Sequence, residues 1–229
     1  MAIIVTTAVC SMVLCIGEHL FHRYMLHLDV VRFLGSLCSS HRTHHKLTSV
    51  KFDRQGIVHS EYAITTMAQD DQATFPSWAL IPFFTFFTPF FAVIAFSFPH
   101  IPILIGGYTA IAIEHYLFEM IHVLHHLPYE TYWKPRMHGR LTSPIWSWLY
   151  GFHLAHHVNY KCNMNVAGFY GLPLADLLFG TYVTPRPIPV EGVQATSAMA
   201  RGFTPQPYFF IAWLDRVAFK RKRWMVKEG

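Results

Sequence analysis

Apolar and polar positions along this 229-residue chain fall into long blocks, not into the short alternations of an ordinary soluble domain. Residues 2–17 carry no charge, and the apolar character continues past Glu18 and His19 to Phe21, close to the ~20 residues a helix needs to cross a bilayer. A cleaved leader would show a basic start, which this block lacks, and it runs directly into Leu20-Phe21-His22-Arg23. The chain is then polar from Arg23 to Ser77. From Trp78 to Phe98 it has 21 residues without a charge, interrupted by Pro82 and Pro89. Pro99 and Pro102 mark a turn, and Ile101–Ile121 reads as a return crossing broken only by Glu114, His115 and Glu119. Prolines inside a crossing are tolerated where neighbouring helices satisfy the freed carbonyls. The pattern predicts crossings at 2–22, 78–98 and 101–121, the last two a hairpin. Beyond His126, proline-rich turns alternate with aromatic pieces such as Ile145–Tyr150 that are too short to span and predict helices lying in the interface. The tail, 205–229, sets Phe209, Phe210, Ile211, Trp213 and Phe219 beside Lys220-Arg221-Lys222-Arg223, which suits anchoring to anionic headgroups.

Composition agrees with a multi-pass membrane protein, since 52% of residues are hydrophobic and only 14% charged. Six Lys and Arg lie between Arg23 and Arg54, twelve lie between Lys134 and Lys227, and none lies before Arg23 or near Pro99. With three crossings, all eighteen fall on one side, which the positive-inside rule makes cytoplasmic. The membrane is then a bacterial inner membrane or the endoplasmic reticulum, according to source. The net charge of +5 follows this topology and predicts no nucleic-acid partner. Cys10, Cys15, Cys38 and Cys162 have no metal-finger spacing and read as thiols in a reducing or membrane setting.

Histidines change the picture. His41-Arg42-Thr43-His44-His45 is echoed by His153-Leu154-Ala155-His156-His157, and offsets of three and four place such rings on one helical face. His122 and His126 are four apart, with His125 beside them. His22 and His27 are five apart, about 140° out of line at roughly 100° per residue, so they converge only at a helix end or a kink. Ten imidazoles in four boxes are too many for one ion and suit two. The boxes are short and separated, unlike a low-complexity metal-binding tract. His19, His59, His100, His115 and His138 read as ordinary surface or core histidines.

All four boxes fall on the same side of the predicted membrane. Imidazole suits zinc, copper, iron and nickel alike, but structural zinc needs four ligands and has no redox states. A pair of irons binds O2 and, with two electrons and two protons, turns a C–H bond into C–OH with release of water. A lipid chain could reach such a centre from the bilayer. A metal transporter or store is the rival of another class. It would need polar groups near the midplane, whereas these boxes gather at one edge. A purely structural adaptor would not need ten aligned imidazoles.

The order His22/His27, His41/His44/His45, His122/His126, His153/His156/His157, closing in Asp176-Leu177-Leu178-Phe179-Gly180-Thr181-Tyr182, resembles the fatty acid hydroxylase and sterol desaturase superfamily of integral membrane di-iron enzymes. The likeness spans roughly residues 15–185. It implies an all-α membrane bundle, a single domain over 1–229, with a cytoplasmic-side cap formed by 23–77 and 122–185. That cap would hold two iron ions on the ten box histidines, with zinc a substitute in purified protein and O2 the co-substrate. The implied substrate is a lipid, and electrons would come from a separate cytochrome b-type or ferredoxin-plus-reductase donor. Desaturation and carotenoid-ring hydroxylation use the same centre and stay open. The chain departs from the family in the 26 residues between His126 and His153, which carry His138, and in the looser run Asn163-Met164-Asn165-Val166. The family spacing assigns His126, not His125, to the third box, with His125 in a lesser role. Glu18, Glu119 and Asp176 lie near a box or the closing motif and are candidates to orient ligand rings, since metal-bound imidazoles donate their other N–H to such groups. Glu114, deeper in its crossing, needs a partner, with His115 or a headgroup the candidates.

Overall fold

The first apolar block forms α1 (Ala2–Phe21), and it does not end where the polar residues begin. Its last turn widens into a π-helical turn, π1 (His22–His27), before the chain leaves the helix at Leu28. This computed structural model describes residues 1–28, 30–31, 34–75, 78, 80–139, 141–184, 188–196, 199 and 202–227. Residue 79 of the second expected crossing, Arg140 of the 126–153 insert, and residues 228–229 of the tail lie outside them.

The rest is mostly helical: α2 (Gly35–Leu47), α3 (Met67–Asp70), α4 (Leu80–Ser97), α5 (Ile103–His125), a second π-helical turn (Tyr129–Trp133) running into α6 (Lys134–Met137), α7 (Ser143–Val158), α8 (Leu174–Phe179) and α9 (Phe209–Lys227). The all-α expectation misses one element, a hairpin of β1 (Val50–Phe52) and β2 (Val58–Ser60), paired Val50 with Ser60 and Phe52 with Val58. Asp53 builds its turn by accepting from the Gln55 and Ile57 N–H groups, and Gly56 supplies the left-handed residue (φ 81°).

α5 is the central helix of the apolar half and packs against both α1 and α4. Two adjacent glycines permit this. A Cβ on Gly106 would stand 2.7 Å from the Thr6 side chain in α1, and one on Gly107 would stand 2.5 Å from Phe91 in α4. Cys10, Leu14, Phe91, Ala110 and Ile111 fill the seam. The outward faces are apolar too, with Ile4 and Val9 on α1, Phe86, Val93 and Phe96 on α4, and Ile105 and Met120 on α5 all exposed. Among the described residues, one helical run, Ala2–His27, is long and apolar enough to cross a membrane, and the apolar stretch Phe83–Ser97 is shorter.

The second core lies beyond the ends of α1 and α5, where Val58, Tyr62, Trp133, Tyr150, Leu154 and Cys162 are buried together. The piece Ile145–Tyr150, expected to lie on a bilayer, forms the first turns of α7. Trp146, Leu149 and Tyr150 pack into this core while Ile145 stays exposed, because Trp133 and Tyr62 offer the aromatic partners. A third cluster, Tyr24, Leu28, Val30 and Ala218, ties α9 to π1.

Candidate metal centre

The four histidine boxes come from four helical segments, π1, α2, the end of α5 and α7. π1 resolves the awkward spacing of the first box, since a turn closed by i→i+5 bonds returns the fifth residue over the first. The His22 and His27 rings stack at 5.0 Å and 16°. α2 carries His41, His44 and His45; the end of α5 carries His122, with His126 capping it; α7 carries His153, His156 and His157.

These ten residues form two groups of five, in each of which the candidate ligand atoms lie within 4.8 Å of one another. Site A is His22, His27, His41, His45 and His156, and site B is His44, His122, His126, His153 and His157. The two three-histidine boxes are therefore split, not pooled. Box two sends His41 and His45, one turn apart, to site A and His44 to site B; box four sends His153 and His157 to site B and His156 to site A. The sites abut, with the His45 ring stacked on His157 at 4.2 Å.

In site A the Nε2 atoms of His22 and His41 are 2.9 Å apart, those of His41 and His45 3.1 Å, and those of His27 lie 3.2 Å from both His41 and His156. His153 and His157 repeat the 3.2 Å spacing in site B. Ligands at right angles around an ion with ~2.1 Å metal–nitrogen bonds stand about 3 Å apart, so the nitrogens already occupy the edges of a coordination polyhedron.

Proton placement points the same way. Nδ1 of His22 donates to the Met164 carbonyl (2.6 Å), His156 to Cys162 (2.8 Å), His122 to Ala73 (2.6 Å), His126 to Tyr62 (2.7 Å) and His157 to Thr48 (3.0 Å). A carbonyl only accepts, so these five rings carry hydrogen on Nδ1, and in the neutral imidazole Nε2 is then a lone pair. Burial, joined by repulsion among neighbouring rings, holds His153, His156 and His157 well below the ordinary 6.5 and takes His44 down to about 2, so these rings are neutral. Neutral imidazole is the ligand form. Among the described residues, Nε2 of His126 and both nitrogens of His44 are buried without a hydrogen-bond partner. Buried lone pairs facing one another are costly unless a cation lies between them.

The carboxylates expected to orient rings act one step further out. Asp176, fully buried, accepts from the Met164 and Asn165 N–H groups and from Thr181, with His19 Nδ1 at 3.3 Å. Burial pushes its carboxyl up, but His19, Thr181 and the Asn165 N–H together hold it below the usual carboxylate range. It thus fixes the strap whose Met164 carbonyl receives His22. Glu18 grips the same strap through Asn165 Nδ2 and the N–H groups of Val166, Ala167 and Gly168. Glu119 accepts from the Phe75 N–H, two residues from the Ala73 carbonyl that receives His122. At the rings themselves backbone carbonyls stand where carboxylates were expected. His125 is buried beside site B, stacked on His153 at 4.9 Å with neither ring nitrogen bonded, and it is not one of the five. Glu114 is not paired with His115, whose ring meets Phe75 and Phe83. Among the described residues its buried oxygens find no hydrogen-bond partner.

The orienting carbonyls of Thr48, Tyr62, Ala73, Cys162 and Met164 went unread in the sequence, since a backbone acceptor has no residue signature. Asn163 was the available signal: it sits in the left-handed region (φ 53°), donates to Phe152 and Val183, and so turns the strap whose carbonyls hold His22 and His156 of site A. No family profile, curated protein or solved structure matches this chain.

Proposed function

We propose that this chain is a membrane-bound di-iron oxygenase that hydroxylates a C–H bond of a lipid, with O2 as co-substrate and two electrons from a separate protein. One observation carries the reading: two abutting groups of five imidazoles, eight of the ten buried, with inward lone pairs set by backbone carbonyls. Five nitrogen donors per site exceed the four of a closed structural zinc site, and two adjacent sites fit a two-ion centre. With iron bound, the centre would supply O2 activation. The chain's own part is to hold the ten rings neutral and oriented and, through Tyr62 and Phe118, to wall site B from water.

In this reading α1, α4 and α5 cross the bilayer, and their exposed apolar faces meet lipid, since monomeric soluble proteins rarely expose such surfaces. The boxes then sit at the cytoplasmic ends of α1 and α5. Topology reporters fused after Pro99 and at the carboxyl terminus should report opposite sides, and the same side for both refutes the hairpin. Comparative lipid mass spectrometry of cells with and without the protein tests the reaction. One lipid class gaining a single oxygen supports hydroxylation, loss of two hydrogens selects desaturation, and an unchanged lipidome with intact expression overturns both.

A further inference from the structure

The two sites differ in their access to the surface. All five site B histidines are buried, whereas His41 and His45 of site A are only partly covered. Site A has a second approach. Tyr160, just past α7 and 46% exposed, lies face-on over His27 with ring centroids 5.2 Å apart and planes at 22°. The rings border a surface hollow lined also by Arg23, Lys161, Asp215 and Phe219. Among the described residues its one carboxylate, Asp215, is already paired. Arg23 holds Asp215 by two bonds, Nε to Oδ1 at 2.8 Å and Nη2 to Oδ2 at 2.7 Å, and Tyr24 adds a third at 3.0 Å. Lys161 Nζ stands 5.8 Å over the Phe219 ring, and the residues of α9 that follow Asp215 and Phe219, Arg216 and Lys220, are exposed. The rim is basic, the centre aromatic, and the aromatic rests on a ligand of the more open site.

We propose that this hollow is the docking surface of an acidic one-electron carrier and that the Tyr160–His27 stack is where the electron enters. The inference rests on the di-iron reading. The basic rim would steer and orient an acidic partner, and Tyr160 would bring it into contact with a ring whose Nε2 faces site A. Each docking would pass one electron: the reduced carrier would be oxidised, and an iron ion held by His22, His27, His41, His45 and His156 would take the electron up. No bond forms and no proton leaves. Two dockings supply the two electrons of a hydroxylation.

The test uses the full iron-loaded chain in nanodiscs of neutral lipid, with an acidic [2Fe–2S] ferredoxin as probe. Wild type should bind it at low ionic strength and lose it as salt screens the rim. Lys161→Glu should weaken binding by about tenfold or more, a difference of ~1.4 kcal/mol. Tyr160→Leu should leave affinity intact but slow stopped-flow oxidation of the reduced ferredoxin, with Tyr160→Phe restoring it. Dithionite should reduce all variants alike, and unchanged iron content shows that they fold. Failure of wild type to bind, or unchanged binding by Lys161→Glu and unchanged transfer by Tyr160→Leu, overturns the proposal. So does a Lys161→Glu defect confined to anionic vesicles, which would make the rim a headgroup contact. If dithionite leaves wild-type iron unreduced, the oxygenase reading and the electron step fall together, while the binding arm still decides the docking surface.

Discussion

His125 and His126 are adjacent, equally buried and equally able to ligate in chemical terms, and only their placement separates them. α5 ends at His125, and His126, as its cap, turns its Nε2 into site B while its Nδ1 is held by Tyr62. His125 stays on the helix and stacks behind His153. His126→Ala should lose one metal ion per chain and all turnover, whereas His125→Ala should keep two ions with reduced activity. Metal analysis after anaerobic iron loading checks this, and the reverse pattern refutes the assignment. Asp176 tests the outer support. Asp176→Asn places a donor against N–H and hydroxyl donors and loosens the Met164 carbonyl behind His22. Loss of such support typically costs about 10–100-fold in affinity or activity, so metal titration should show site A weakened by that order and site B unchanged. At this scale the candidate ligands were legible, because imidazole spacing is written in side chains. Their orienters were not, because five of them are backbone carbonyls, and Glu18, Glu119 and Asp176 act through the backbone.

The elements show why an odd spacing can be right. On a regular helix His22 and His27 diverge, and the kink that their convergence required is realised as a π turn that stacks them. Splitting of the two three-histidine boxes was hidden for the opposite reason. Offsets of three and four share a face, and one face can still serve two ions when a second helix, here α7 against α2, presents the complementary set. The α4–α5 hairpin was legible from its long apolar runs, but its packing was not, since that depends on which glycine faces which ring. Gly107→Ala should overpack Phe91, at a cost of about 1–3 kcal/mol typical of inserted core methyls. Gly107→Ala combined with Phe91→Leu should recover part of it. Thermal unfolding in detergent measures both, and a Gly107→Ala chain as stable as wild type would show that α4 can move aside.

Across the molecule, an apolar half and a histidine-rich half meet at the ends of α1 and α5, and the strap over 162–168 joins them: its carbonyls hold His22 and His156, while its N–H groups are held by Glu18 in α1 and Asp176 in α8. That division of the chain was legible from block hydrophobicity, whereas the inequivalence of the two sites was not, since it arises from what covers each. Site B is enclosed by Tyr62, His125 and the 62–75 segment on one side and by α7 on the other. Site A reaches the surface at His41, His45 and the Tyr160 hollow. A chelator meets an ion only where a ligand can be displaced toward solvent, so local opening should suffice for site A, while site B should need a larger, rarer opening. The loaded protein in excess chelator should therefore release one equivalent quickly and the second far more slowly, at a rate that rises with denaturant. Chelator absorbance follows both phases. Removing the Tyr160 ring should speed the first phase and leave the second unchanged. Release of both equivalents in a single phase would show that the sites open together and that their difference in burial has no kinetic consequence.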